Sequence, residues 1–195
     1  MRWFKMDNKI IVMIGKSGSG KDYISKYISN KYKYNFILSL TNRPMRYGEK
    51  QGDPYIFATT ETMLWNIINN NFVEYRSYYT LYNNNPDVWY YGVLKEDVKD
   101  DKKYIVVLDK QGYFDFKKHF KDRVVSIFIN TNDEIRRQRA IERGGYDETE
   151  FNRRLKDDNK VFDDLSIYDY IVNNNTTKKE FEKQIDKIME EINEK

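Results

Sequence analysis

The short apolar run Lys9-Ile-Ile-Val-Met-Ile14 ends directly in Gly15-Lys-Ser-Gly-Ser-Gly20-Lys21-Asp22, and helical spacing of Tyr23, Ile24, Tyr27 and Ile28 follows at once. A β-branched run of this kind reads as a buried parallel strand. The glycines let the backbone curl so that several N–H groups and a helix N-terminus face one anion, and the lysine adds a mobile positive charge. Gly15, Ser17, Gly18, Ser19, Gly20, Lys21 and Asp22 are therefore candidate phosphate-binding residues. Asp22 stands where such loops usually carry Ser or Thr. Its carboxylate can hold Mg²⁺, directly or through water, but it repels a neighbouring phosphate.

The rest of the chain keeps the alternation that this opening demands. Asn35–Leu38, Lys103–Leu108, Arg123–Ile129 and Tyr168–Val172 read as further strands, with helical stretches between them and an amphipathic helix from about Thr177. Strands alternating with helices predict an α/β fold with a parallel sheet. The segment from about 41 to 93 breaks the rhythm. It holds all three prolines, a helix at Thr60–Ile68, strand candidates at Phe72–Tyr82 and Val88–Tyr91, and a turn or loop over Asn83–Asp87. It reads as an insert on a single domain of residues 1–195, whose core is about 8–40 and 94–195.

Composition removes whole classes of chemistry. With no cysteine and one histidine, His119, the chain cannot build a disulfide, a Cys-ligated zinc site, a thiol nucleophile or, alone, a multi-His metal centre. Balanced charge, +3 in sum, speaks against a bulk nucleic-acid binder. No stretch reaches the roughly 18 apolar residues that span a bilayer. A cytoplasmic protein with no membrane or nucleic-acid partner is expected.

The second informative segment is Ser39-Leu-Thr-Asn-Arg43-Pro-Met-Arg46-Tyr-Gly-Glu49-Lys-Gln-Gly52-Asp-Pro-Tyr55-Ile-Phe57. Two arginines flanking a Pro-Met pair can converge on one phosphate, Glu49 can orient one of them, and Tyr55 can donate its hydroxyl. The order Ser…Thr-x-Arg-x-x-Arg-x-Gly-Glu-x-x-Gly-x-x-Tyr-x-Phe, downstream of a Gly-x-Ser-Gly-Ser-Gly-Lys loop, resembles guanylate kinase over most of the chain.

That resemblance implies a P-loop three-layer α/β fold with a five-stranded parallel sheet, a nucleoside-monophosphate-binding insert and a lid at about 137–156. It implies transfer of phosphate from ATP, with Mg²⁺, to GMP or dGMP, in a monomer or homodimer. Residues 15 and 17–22 become the ATP-binding set, and Lys21, Arg43, Arg139, Arg143 and Arg154 the catalytic set. Ser39, Arg43, Arg46, Glu49, Tyr55, Glu74, Tyr91 and Asp109 form the acceptor site, with Asp22 and Asp109 as metal candidates. Glu74, in Phe72-Val-Glu-Tyr75, matches the glutamate that reads the guanine edge, where adjacent N1–H and N2–H₂ donors suit a carboxylate. Arg139 and Arg143 lie on one helical face, where like charges repel unless they share an anion. Val93 and Val107 replace a hydroxyl and an acidic residue of the family pattern. These departures leave two alternatives open: a nucleotide-binding or interaction module with weak or no turnover, and a kinase for another (deoxy)nucleoside monophosphate. The scarcity of general bases fits phosphoryl transfer, because a monophosphate oxygen is already ionised near neutral pH and catalysis reduces to alignment and charge neutralisation.

Overall fold

The computed structural model describes residues 8–46, 48–142, 144, 147–162 and 164–194, the side chains of Glu150 and Arg154 excepted. β1 (Ile10–Gly15) lies at the centre of a five-stranded sheet of order β2-β7-β1-β8-β9, with β2 at Asn35–Ile37, β7 at Tyr104–Val107, β8 at Val124–Asn130 and β9 at Tyr170–Asn173. Every pairing in this sheet is parallel. Period-two alternation along β1 feeds two cores. Ile10, Val12 and Ile14 pack with Val106, Phe128 and Phe116 of α3 (Lys110–Phe120). Ile11 and Met13 face Ile24 and Ile28 of α1 (Lys21–Tyr32) together with Phe181, Ile185 and Met189 of α6 (Lys178–Glu194). A strand buried on both faces needs helices on both sides, and this arrangement supplies them. At the start of α6, the Thr177 hydroxyl and Glu180 carboxylate each accept a backbone N–H of the other residue, a reciprocal cap that fixes where the helix begins.

The insert forms a second sheet of order β4-β3-β6-β5, where β3 is Leu40–Thr41, β4 Ile56–Phe57, β5 Phe72–Tyr82 and β6 Asn85–Leu94. α2 (Thr60–Ile68) is capped by the Thr59 hydroxyl, which accepts the Thr62 N–H at 3.2 Å, and it drives Met63 against Leu40 and Phe72. Of the turn or loop that the sequence places over Asn83–Asp87, the structure makes a turn, with the reversal at Asn83 and Asn84 alone, at φ 51° and 64°. Asparagine tolerates this left-handed pair, so the hairpin closes in two residues and β6 begins at Asn85. Pro86 is accommodated because β3 reaches only Tyr91 and Gly92 of β6, which leaves the Pro86 end of the strand with a free edge.

Two further helices, α4 (Asp133–Glu142) and α5 (Glu148–Val161), occupy the region read as a lid. No helix among the described residues is long and apolar enough to cross a membrane.

Candidate active site

The glycine-rich loop leaves the C-terminal end of β1 and enters α1, at the sheet edge where open α/β folds bind ligands. Gly20 takes φ 99°, and a Cβ there would lie 2.5 Å from Asn174 Nδ2, so both backbone conformation and space require glycine. Asn174 Nδ2 and Thr131 Oγ1 donate to the Ser19 carbonyl at 2.8 and 3.1 Å, tying the loop to the ends of β9 and β8. Among the described residues, the buried Ser19 hydroxyl has no hydrogen-bond partner. Lys21 folds back and donates to the carbonyls of Gly15 and Lys16 at 2.7 and 2.9 Å. Burial pulls its ammonium down to about 8, with Arg136 adding to the effect and the carboxylates of Asp22 and Asp158 opposing it. Asp22 is exposed on the first turn of α1.

Above the loop, α4 and α5 contribute a buried ionic knot. Arg136 is 1% exposed; it donates to Asp133 Oδ1 at 2.7 Å, Asp158 Oδ2 at 2.7 Å and the Ser17 carbonyl at 3.0 Å. The same Asp158 oxygen accepts the Ser17 N–H at 3.2 Å. A phosphate entering the loop therefore competes with Asp158 for this amide. Arg139 reaches the Gly18 carbonyl at 3.4 Å and Asn174 at 3.3 Å, with its guanidinium partly desolvated beside the loop. Arg143 lies outside the described residues, as does the side chain of Arg154.

The acceptor motif folds into a cage around Arg43. This residue is 3% exposed; its guanidinium pairs with both Glu49 oxygens at 3.0 Å, donates to the Pro44 carbonyl at 2.8 Å, and lies over the rings of Tyr55 and Phe57. Glu49 also accepts the Arg46 backbone N–H at 2.8 Å, which holds the two arginine positions in one turn. Against the opposing effect of burial, these bonds from Arg43 and Arg46 keep Glu49 below the ordinary carboxylate range, so it is ionised at neutral pH. Tyr91 meets Tyr55 edge-on, and the Arg46 side chain is exposed. Ser39 lies half-buried between β2 and β3, where the chain passes from one sheet to the other.

Glu74 owes its placement to a β-bulge. Register shifts between Phe72 and Glu74, so Phe72 and Glu74 are both buried, one in the insert core and the other beside Gly112. Burial raises the Glu74 carboxyl to about 7. The carboxylates of Asp109 and Asp115 add to this rise, while Arg76 and the Val93 backbone N–H oppose it. Asp109 caps α3 by accepting the Gly112 N–H at 2.6 Å, and its other oxygen is 3.4 Å from Arg76 Nε. Val93 is fully buried in the main core, and Val107 is half-buried.

The insert approaches α1 close to the loop: Lys26 on α1 is 3.4 Å from Asp53, and both Asp22 and Arg43 lie near enough to the Tyr55 hydroxyl to act on it electrostatically. Four residues of this region escape the sequence reading: Arg76, Asp115, Arg136 and Asp158. The spacing of Asp133 and Arg136, three apart on a helix, is a visible pairing signal. Nothing local in the sequence links Arg76 to Asp115 or Arg136 to Asp158, because those contacts join separate elements.

A parallel α/β core with an anion loop after its first strand, an arginine cage on an insert and arginine-bearing helices over the loop defines the class of nucleotide-handling P-loop proteins. A family model described as guanylate kinase matches residues 7–193. Relatives include a guanylate kinase of Helicobacter hepaticus, 32% identical over 182 residues that cover 88% of this chain and 86% of the relative. Another, from Fusobacterium nucleatum, is 31% identical over 170 residues, covering 85% and 88%. The crystal structure of guanylate kinase from Anaplasma phagocytophilum superposes with a TM-score of 0.64 at 26% identity, covering 95% of this chain and 85% of that one. The chain belongs to the guanylate kinase family.

Proposed function

We propose that the protein transfers the γ-phosphoryl group of ATP to GMP or dGMP, as a cytoplasmic monomer or homodimer. The observation that carries this reading is the opposition of a lysine-bearing phosphate loop to the Arg43 cage, with a buried carboxylate, Glu74, at the acceptor side. Lys21 and Arg139 take the donor phosphates, joined by Arg143 and Arg154. Arg43, Arg46, Tyr55 and Tyr91 take the acceptor phosphate. Glu74, Ser39 and Asp109 read the base. Ionised Glu74 accepts the paired N1–H and N2–H₂ donors of guanine, which adenine does not present.

The residues fit a magnesium ion held mainly by nucleotide oxygens and water. No group of three or more His, Cys, Asp or Glu among the described residues is placed to hold a metal ion, and Mg²⁺ in such sites needs only one or two carboxylates beside substrate phosphates. Asp22, exposed beside Lys21, is the residue placed to hold it. Asp109 is already engaged by Gly112 and Arg76, which favours its role at the base. When bound, the ion neutralises charge on the transferring group.

The test is ADP release from ATP and Mg²⁺ with a panel of ribo- and deoxynucleoside monophosphates. GMP and dGMP are expected to be the best acceptors. Best turnover with another base removes the guanine assignment, and no turnover with any acceptor leaves a binding module. A companion prediction isolates the cage: Glu49→Ala frees Arg43 and should raise the KM for GMP roughly tenfold, the loss of a charge-assisted hydrogen bond, while the KM for ATP stays put. Steady-state kinetics with each nucleotide varied in turn checks it.

A further inference from the structure

Arg76 is the centre of a charge cluster that joins the hairpin to α3. Its Nη2 donates to Asp115 Oδ2 at 2.8 Å, its Nε lies 3.4 Å from Asp109 Oδ2, and its Nη1 is 3.9 Å from Glu74 Oε2. The Nε is buried and makes no hydrogen bond among the described residues, its contact with Asp109 being ionic. Three carboxylates converge on the same point, so without the guanidinium they repel one another.

We propose that Arg76 is a positioning residue of the acceptor-base site: strung between Asp115, Asp109 and Glu74, it holds the Glu74 carboxylate in place and favours its charged form. This rests on the reading of Glu74 as the residue that meets the base. Holding that carboxylate charged suits guanine, whose N1–H and N2–H₂ are adjacent donors. It also compensates for Val93, which has no side-chain hydroxyl and brings only its backbone N–H to Glu74. The groups facing Glu74 are Arg76 on its own strand, the Val93 N–H on β6, and Asp109 and Asp115 from the start and body of α3. Arg76 is the one cation among them. Its removal leaves Glu74 with two carboxylates and a desolvated setting, all of which favour the protonated form.

The experiment titrates Glu74 directly, by carboxyl ¹³C NMR of the substrate-free protein, in wild type, Arg76→Met and Arg76→Lys, alongside pH profiles of kcat/KM for GMP. Arg76→Met should move the Glu74 midpoint upward by roughly one pH unit, the scale of a neighbouring-charge effect, and carry the acidic limb of the GMP profile with it. Arg76→Lys should restore most of the midpoint but not the GMP efficiency, because an ammonium cannot span Asp115, Asp109 and Glu74 together and so leaves the carboxylate less well placed. The second ionisation of GMP is common to all three proteins, so only differences between them count. An unmoved midpoint in Arg76→Met overturns the proposal and reduces Arg76 to a structural tie, as does a profile lowered equally at every pH. The NMR arm needs no turnover, so absence of GMP kinase activity in the wild type sinks the functional reading without touching this result. If Arg76→Met does not fold, Arg76→Gln, which removes the charge but keeps a donor for Asp115, provides the second arm. It should shift the Glu74 midpoint upward, and a downward shift or none contradicts the proposal.

Discussion

Replacing Lys21 by methionine is expected to lower kcat about a thousandfold, the scale of losing one preorganised donor to developing charge, without lowering thermal stability at pH 7. The two halves of that result have one cause. In the resting protein the Lys21 ammonium is desolvated and satisfied only by the carbonyls of Gly15 and Lys16, which is why its value falls to about 8. A base whose folded value is depressed binds fewer protons folded than unfolded between about 8 and its ordinary value, so folding gains stability as pH rises through that window. At pH 7 the buried charge is a net cost that the donor phosphates relieve on binding. Calorimetry and turnover assays on the same preparation check both parts. A fall in Tm as large as the fall in activity contradicts this assignment and makes Lys21 a structural residue.

Arg136→Met is expected to do the reverse, destabilising the fold by about 3 kcal/mol, which for a chain of this size lowers Tm by roughly 6–12 °C. Arg136 is the buried cation between Asp133 on its own helix and Asp158 on α5, and it also holds the Ser17 carbonyl. Removing it strands the half-buried Asp158 carboxylate against the loop, where it repels incoming phosphate. ATP affinity should therefore fall together with Tm. Arg139→Met is the matched control, because Arg139 makes only long contacts to Gly18 and Asn174; it should reduce kcat and leave Tm within about 2 °C, the scale of a substitution worth under 1 kcal/mol. Equal melting behaviour of the two variants would contradict the division of labour between them.

That division marks the boundary of what the sequence discloses. The phosphate loop is legible because its function is local: closely spaced glycines, one lysine and the strand and helix on either side determine it. The Arg43 cage is nearly as readable, since Arg43, Glu49 and Tyr55 lie within one short segment and meet across a turn. The base site is only half readable. Glu74 stands in a recognisable segment, yet the bulge that buries it beside Gly112 depends on pairing with β6. Arg76 looks like one more hairpin charge until α3 brings Asp109 and Asp115 to it. In the lid, three arginines share the stretch from 136 to 139, and periodicity cannot tell the one that packs from the one that reaches. Only the docking of α5, with Asp158 over the loop, separates Arg136 from Arg139. The hairpin teaches the same lesson in miniature, where two left-handed asparagines narrow an expected turn or loop to a two-residue reversal.

The most direct measurement is ³¹P NMR of ATP, GMP and Mg²⁺ with the wild-type protein, followed until the signals stop changing. Facing cradles that pass phosphate straight from one nucleotide to the other predict matched growth of ADP and GDP resonances with no inorganic phosphate. Inorganic phosphate accumulating in place of GDP, or ATP left intact beside GMP, would contradict the account at its root.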